Sequence, residues 1–372
     1  METETLLRPR YFSQVSDFVQ TLREIKDVRA TETLDLIMST LDIDSVEGKM
    51  NISLPNGDRT IAEPTDWAAG QIANKMDIPK AYFDRMRNPD HIQLFDQNVN
   101  YWMHKNPKKV LIRRFGGKMI AMLSDRYRAF DSFDVANVIM STLMTEGFRD
   151  VKTSHMILTD KLMSFSVYDP RPEMMVSMPD DPKDKYMLGL KVKNSDVGYS
   201  SFEISPMLVR LVCTNGMVSF DPYRKIHRGQ ALGDGDIWSK ETLIKQGELS
   251  AYEIRDITRM AFNRQKAVEY VDNLRKLKDI HVDPTNQDIY MPIFNLSQKE
   301  SEEVWSRIEA NNAYEYVQAA TSYANDLIKA GSERGVEIQE QTTDVLVQFR
   351  AIEKLRARKF PDVQSDGNNE VE

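Results

Sequence analysis

Apolar positions along this chain switch period twice. Through the first hundred residues they recur at helical spacing. Phe18, Leu22, Ile25 and Val28 form one stripe, and Leu34, Ile37, Met38 and Leu41 predict a second helix over 31–41. A short hairpin interrupts them, MNISL then RTIAE, turned at Pro55-Asn56-Gly57-Asp58, where Asn-Gly supplies the positive φ of a tight turn. Thr65 is placed to N-cap the helix DWAAGQIANKM. Pro79 opens a helix at a position whose missing N–H costs nothing, and Pro89 precedes DHIQLFDQNVNYWMHK.

From Lys108 the period becomes that of strands. KKVLIRRF and KMIAMLS flank Gly116-Gly117 and predict a hairpin. Alternation of Val110, Ile112 and Arg114 against Leu111, Arg113 and Phe115 leaves its inward face open. Asp131 stands as N-cap of the helix SFDVANVIMSTLMTEG, with Gly147 as C-cap. VKTSHMIL and LMSFSVYD pair across Thr159-Asp160-Lys161, and YMLGLKVKNS pairs with SSFEISPMLVRLVCT across Asp196-Val197-Gly198. From about Asp236 the pattern is helical again. A long charged stretch reaches Leu277, either straight or folded back at Gly247, and NAYEYVQAATSYANDLI and TTDVLVQFRAIEKLRARK follow. The reading is an α+β fold in which a central antiparallel, β-rich domain (β-β-α-β-β-β-β, 104–230) lies between helical regions. Residues 1–103 form the mainly helical N-terminal region, 231–360 the helical C-terminal region, and 361–372 a polar, acidic tail expected to be disordered.

Composition narrows the class. The chain has 372 residues, 41% hydrophobic and 28% charged, as ordinary globular proteins do. No apolar run is long enough to span a membrane, and the N-terminus has acidic residues and no apolar core, unlike a secretory signal. One cysteine, Cys213, excludes an intramolecular disulfide. A reducing cytoplasm is the expected setting, with the thiol a small core group in LVRLVC.

Catalytic motifs are absent. The five histidines (91, 104, 155, 227 and 281) stand apart, and a single cysteine makes no metal-binding pair, so neither metal nor other cofactor is expected. Charge is the better lead. The net charge is −8, yet residues 104–128 carry Lys105, Lys108, Lys109, Arg113, Arg114, Lys118, Arg126 and Arg128 against Asp125 alone. Aromatic residues interleave with these cations. Further along come Lys191, Lys193, Tyr199 and Arg210, then Arg224, Lys225 and Arg228. Cations along a groove neutralise phosphates, and aromatic faces stack on unpaired bases. The candidate nucleic-acid-binding set is therefore Arg113, Arg114, Lys118, Arg126, Arg128, Lys191, Lys193, Arg210, Arg224, Lys225 and Arg228, with Tyr127 and Tyr199 as stacking residues.

WAAGQIANKMDIPKAYFDRM, NVNYWMHKNPKKVLIRRFGGKMIAMLSDRYRAFDSFDV and VKNSDVGYSSFEISPMLVRLVCTNGM together resemble the phage/plasmid-like family, a domain of unknown function from phages, prophages and plasmids. NAYEYVQAATSYAN is similar to that family's closing helix, and the resemblance covers about residues 65–330. It implies a mobile-element context and DNA metabolism, and it transfers no catalytic residue. At the level of topology, a hairpin, a helix and further antiparallel strands are also similar to phage single-strand annealing proteins. The leading expectation is a non-enzymatic protein that binds single-stranded DNA and anneals strands as a homo-oligomeric ring or filament. Two alternatives stand beside it. One is an interaction factor whose C-terminal helices dock a phage or host protein. The other is a metal-dependent nuclease using Asp125, Asp196 and Glu203.

Overall fold

The hairpin anticipated at Gly116-Gly117 sits between two hydrophobic cores and belongs to both. In a computed structural model, the residues described are 10–12, 14–45, 49–54, 60–124, 127, 131–211, 216–219, 223–225, 240–342 and 345–359. The chain opens with β1 (Arg10–Tyr11), α1 (Val15–Glu32), β2 (Thr33–Ile37), β3 (Asp42–Ile43), β4 (Ile52–Leu54) and β5 (Thr60–Pro64). Next come α2 (Asp66–Lys75), α3 (Lys80–Met86) and α4 (Ile92–His104), then the hairpin β6 (Lys109–Phe115) and β7 (Lys118–Ser124). After α5 (Ser132–Thr145) the strands are β8 (Lys152–Leu158), β9 (Met163–Tyr168), β10 (Val176–Met178), β11 (Asp181–Asn194), β12 (Phe202–Arg210), β13 (Gly216–Ser219) and β14 (Tyr223–Lys225). Six helices follow among the described residues: α6 (Lys240–Ala261), α7 (Arg264–Lys278), α8 (Gln298–Trp305), α9 (Ala313–Lys329), α10 (Glu333–Glu340) and, completing the described chain, α11 (Val345–Lys359). The α+β class read from the sequence holds, with strands at the centre and helices at both ends.

The strands form two sheets. One has the order β2-β6-β7-β5-β4-β3 and is antiparallel except where β5 runs parallel to β7. The other has the order β1-β8-β9-β11-β12-β13, with β10 added on β11 and β14 on β12. Val110, Ile112 and Met122 join Ile72, Phe83, Phe95 and Val99 in the smaller core, while Phe115 and Ile120 join the larger one. Both faces of β6 are thus buried, which is why simple alternation did not select one. A bulge between Arg113 and Arg114 makes the change of partner possible.

Three local readings change. Residues 33–37 are a strand paired with β6, where a helix over 31–41 was expected. Leu34 and Leu36 alternate with exposed Asp35 and Ile37, and that two-residue period matches an edge strand as well as the i, i+3, i+4 spacing matched a helix. For the long charged stretch the sequence leaves open whether it is straight or folds back at Gly247, and the structure keeps it helical there but breaks it after Ala261. Helix α6 runs through Gly247 and ends at Ala261, and the Asn263 side chain accepts the amides of Gln265 and Lys266 to begin α7. Helices α8 and α10 were not anticipated. Among the described residues no helix is long and apolar enough to cross a membrane. Cys213 and the tail 361–372 lie outside the described residues.

The larger sheet has unlike faces. Met156, Phe165, Val167, Leu188, Leu190, Val192 and Ile204 point into the larger core. On the opposite face, cross-strand register aligns Ser166 with Lys191 and Lys191 with Ser205, and one row on aligns Ser164 with Lys193 and Lys193 with Glu203.

Candidate functional site

The candidate residues fall in separate places. Arg113 is 6% exposed. Its Nη1 donates to Asp131 Oδ1 at 3.0 Å and to the Asp196 carbonyl at 2.9 Å, and its guanidinium lies over the Tyr127 ring. Burial alone would lower its pKa, but Asp131 and Asp196 outweigh that and raise it. The Tyr127 hydroxyl donates to the Ser195 carbonyl at 2.9 Å, and burial, with Asp196 nearby, holds it un-ionised well above the usual tyrosine range. Neither side chain reaches a surface where a phosphate or base could meet it. They join the two sheets instead: Arg113 comes from β6, while Ser195 and Asp196 come from the β11–β12 connection. Asp131 does occupy the N-cap position of α5, but its side chain makes no cap bond. Asp196 Oδ1 accepts the Ser132 amide at 2.9 Å and its hydroxyl at 2.6 Å, so the capping carboxylate comes from 64 residues away.

Arg210 is tied up elsewhere. Its Nε donates to Asp184 Oδ1 at 2.8 Å and its guanidinium lies over Tyr314. The Tyr314 hydroxyl donates to the other Asp184 oxygen at 2.8 Å and also meets the Tyr186 hydroxyl. This is an internal clasp between the larger sheet and α9. Arg114 and Lys118 are half-buried on the β6–β7 hairpin. Arg224 and Lys225 lie on β14 opposite Glu203 and Phe202. Their side chains, and Arg126, Arg128 and Arg228 entirely, lie outside the described residues.

Lys191, Lys193 and Tyr199 do come together, on the polar face of the larger sheet, but α10 covers them. Lys193 Nζ is 2.6 Å from Glu340 Oε1. The Tyr199 hydroxyl donates to Glu337 at 3.4 Å, and Lys161 lies over the Tyr199 ring and pairs with Glu333 at 3.0 Å. Lys191 is 3% exposed, and its Nζ is 3.5 Å from the Val336 carbonyl. Burial pushes its pKa down to about 8, with Glu340 and Glu203 offsetting part of that. His155, beside Ser164 on the same face, is pushed down to about 3 by burial and then by Lys191.

The carboxylates considered for metal chemistry do not converge among the described residues. Asp196 serves Ser132 and Asn194, Glu203 is buried in the sheet, and Asp125 lies outside the described residues. No group of three His, Cys, Asp or Glu among the described residues is arranged to hold a metal ion.

One surface feature went unread in the sequence. Helix α4 buries Phe95, Val99 and Met103 and turns Leu94, Tyr101 and Trp102 outward. Tyr101 is 53% and Trp102 49% exposed, their rings edge to face at 5.2 Å. Lys105 Nζ lies 4.0 Å from the centre of the Tyr101 ring, and Lys108 and Lys109, a few residues further along the chain at the entry to β6, are exposed. The signal was partial: Tyr101 falls off the 95-99-103 stripe of an amphipathic helix, whereas Trp102, seven residues after Phe95 and three after Val99, lies at its edge.

Comparison of the chain with protein-family models, with curated proteins and with solved structures gives no match.

Proposed function

We propose that this chain is a single-stranded DNA-binding protein of phage or other mobile-element DNA metabolism, and that it contacts DNA through the outward face of α4 and the basic start of β6. The observation that carries this reading is the half-exposed Tyr101–Trp102 pair with Lys105 against Tyr101, followed closely in sequence by the exposed Lys108 and Lys109. Both rings are half-exposed, and an unpaired base can stack on them as it displaces Lys105 from Tyr101; stacking of this kind tolerates any sequence. The adjacent lysines track the phosphates and give an affinity that falls with salt. This site differs from the one read in the sequence because Arg113, Tyr127 and Arg210 are spent on internal contacts. The test is anisotropy of a labelled oligothymidylate across a salt titration, with Tyr101→Ala/Trp102→Ala as the comparison. The double variant loses at least about tenfold in affinity, because each stacked base contributes about 1–3 kcal/mol. Strand annealing by an assembled ring or filament is the finer form of the proposal, and pairing of two complementary labelled oligonucleotides measures it.

A second reading, a protein-docking factor, draws on α6. Leu249, Tyr252 and Met260 lie exposed at spacings of three and eight residues along it. A stoichiometric partner retained after nuclease treatment, and lost on Leu249→Ser/Tyr252→Ser, favours that reading.

A further inference from the structure

One face of the larger sheet has the composition of a solvated surface and the position of an interior. A sheet packed on one side normally turns its polar face to water. Here that face carries Ser166, Lys191 and Ser205 in one cross-strand row and Ser164, Lys193 and Glu203 in the next, and all but Lys193 are fully buried. The hydroxyls of Ser166 and Ser205 are buried without a hydrogen-bond partner among the described residues. Lys191 reaches only the Val336 carbonyl, at 3.5 Å, among the hydrogen bonds of the described residues. Buried donors left unsatisfied cost stability, so this is a face built for contacts that the closed molecule does not supply.

What covers the face is an acidic helix. Glu333, Glu337 and Glu340 follow at i, i+4 and i+7, which sets them along one side of α10. They engage Lys161, the Tyr199 hydroxyl and Lys193 in turn, at 3.0, 3.4 and 2.6 Å. A row of carboxylates thus occupies a row of cationic and hydroxyl donors flanked by an aromatic ring. The apolar part of the contact is Val336, which joins Ile157, Leu162 and Ile328 in a small cluster, while Ile338 of the same helix is buried in the larger core.

We infer that the polar face of the larger sheet is a second binding surface for the phosphate backbone of single-stranded DNA, and that α10 holds it closed by placing its glutamates where phosphates bind. This rests on the reading of the chain as a single-stranded DNA-binding protein. When α10 lifts, Lys161, Lys191 and Lys193 meet phosphates, Ser166 and Ser205 donate to phosphate oxygens, and Tyr199 is freed to stack on a base. DNA and α10 compete for one set of donors, so each lowers the other's occupancy.

The unmodified full chain provides the first test. Amide hydrogen exchange over 333–340 is compared with and without a saturating oligothymidylate. Faster exchange in α10 is the expected result, and unchanged or slower exchange overturns the inference. The second test introduces Glu337→Gln/Glu340→Gln into the Tyr101→Ala/Trp102→Ala background, so that the α4 face no longer contributes, with circular dichroism to verify folding. The expected result is a gain of about tenfold in oligothymidylate affinity, with a steeper salt dependence, removed by adding Lys193→Gln. No gain overturns the closed face. Should Tyr101→Ala/Trp102→Ala bind as tightly as the unaltered chain, the α4 site fails while the glutamate comparison still decides this one. Absence of binding from every variant removes both.

Discussion

Arg113 Nη1 lies 3.0 Å from Asp131 Oδ1, an ion pair in which the arginine side chain is almost wholly buried between the two sheets. The same nitrogen holds the Asp196 carbonyl, while the Asp196 carboxylate caps α5. Removing the guanidinium strands Asp131 next to a buried carbonyl. Arg113→Ala therefore lowers stability by about 3–5 kcal/mol, measured by chemical unfolding, and Arg113→Lys recovers only part of it because an ammonium cannot reproduce the planar fork. On the proposed function, oligothymidylate affinity of the folded fraction stays unchanged, since Arg113 is buried.

Lys191 gives an alkaline signature. Its folded pKa is near 8, against about 10.4 for an ordinary lysine. Between those values the unfolded chain holds a proton that the native state has released, so this group's contribution to stability rises with pH through the window. Below pH 8 the native state carries a buried, poorly bonded ammonium. Lys191→Met therefore stabilises the protein at pH 7 by about 1–3 kcal/mol and flattens the slope above pH 8, as thermal melts across pH will register. The same change weakens oligothymidylate binding by the glutamate variants.

His155 gives the acid counterpart. Its pKa falls from 6.5 to about 3 in the folded state. As pH drops through that interval the unfolded chain takes up a proton and the native state does not, so stability falls with it. His155→Gln keeps a partner for Ser164 and removes the titration. Its melting temperature should fall less than that of the unaltered chain between pH 7 and pH 4.

Gly335 fastens α10 to α9. A Cβ there would lie 2.3 Å from the Ala324 carbonyl oxygen and 2.8 Å from the Ile328 side chain. Gly335→Ala forces the helices apart at a cost of about 1–3 kcal/mol. It also speeds hydrogen exchange across 333–340 and raises oligothymidylate affinity without altering any charge.

The α+β class and the hairpins at 109–124, 152–168 and 181–210 were legible because alternation, turn residues and caps agree there. Their division between two sheets was not. It depends on β2 and β5 pairing with β6 and β7 across long stretches of chain, and no local pattern encodes that. The candidate site was legible in part. Lys191, Lys193 and Tyr199 do share a face, because they sit on or beside one hairpin. Arg113 and Arg210 have the same residue type as surface cations, and only their distant partners, Asp131 and Asp184, reveal that they are internal. The acidic side of α10 was readable as Glu333, Glu337 and Glu340, but nothing in the sequence tied it to the lysines it covers.

The most direct measurement of the central claim is the affinity of the full chain for a labelled oligothymidylate across a salt titration, beside Lys105→Gln/Lys108→Gln/Lys109→Gln. The account predicts binding that weakens as salt rises, with the slope of log affinity against log salt reduced by about 2 in the triple variant. Binding absent at low salt, or a slope that the triple variant leaves unchanged, would contradict it.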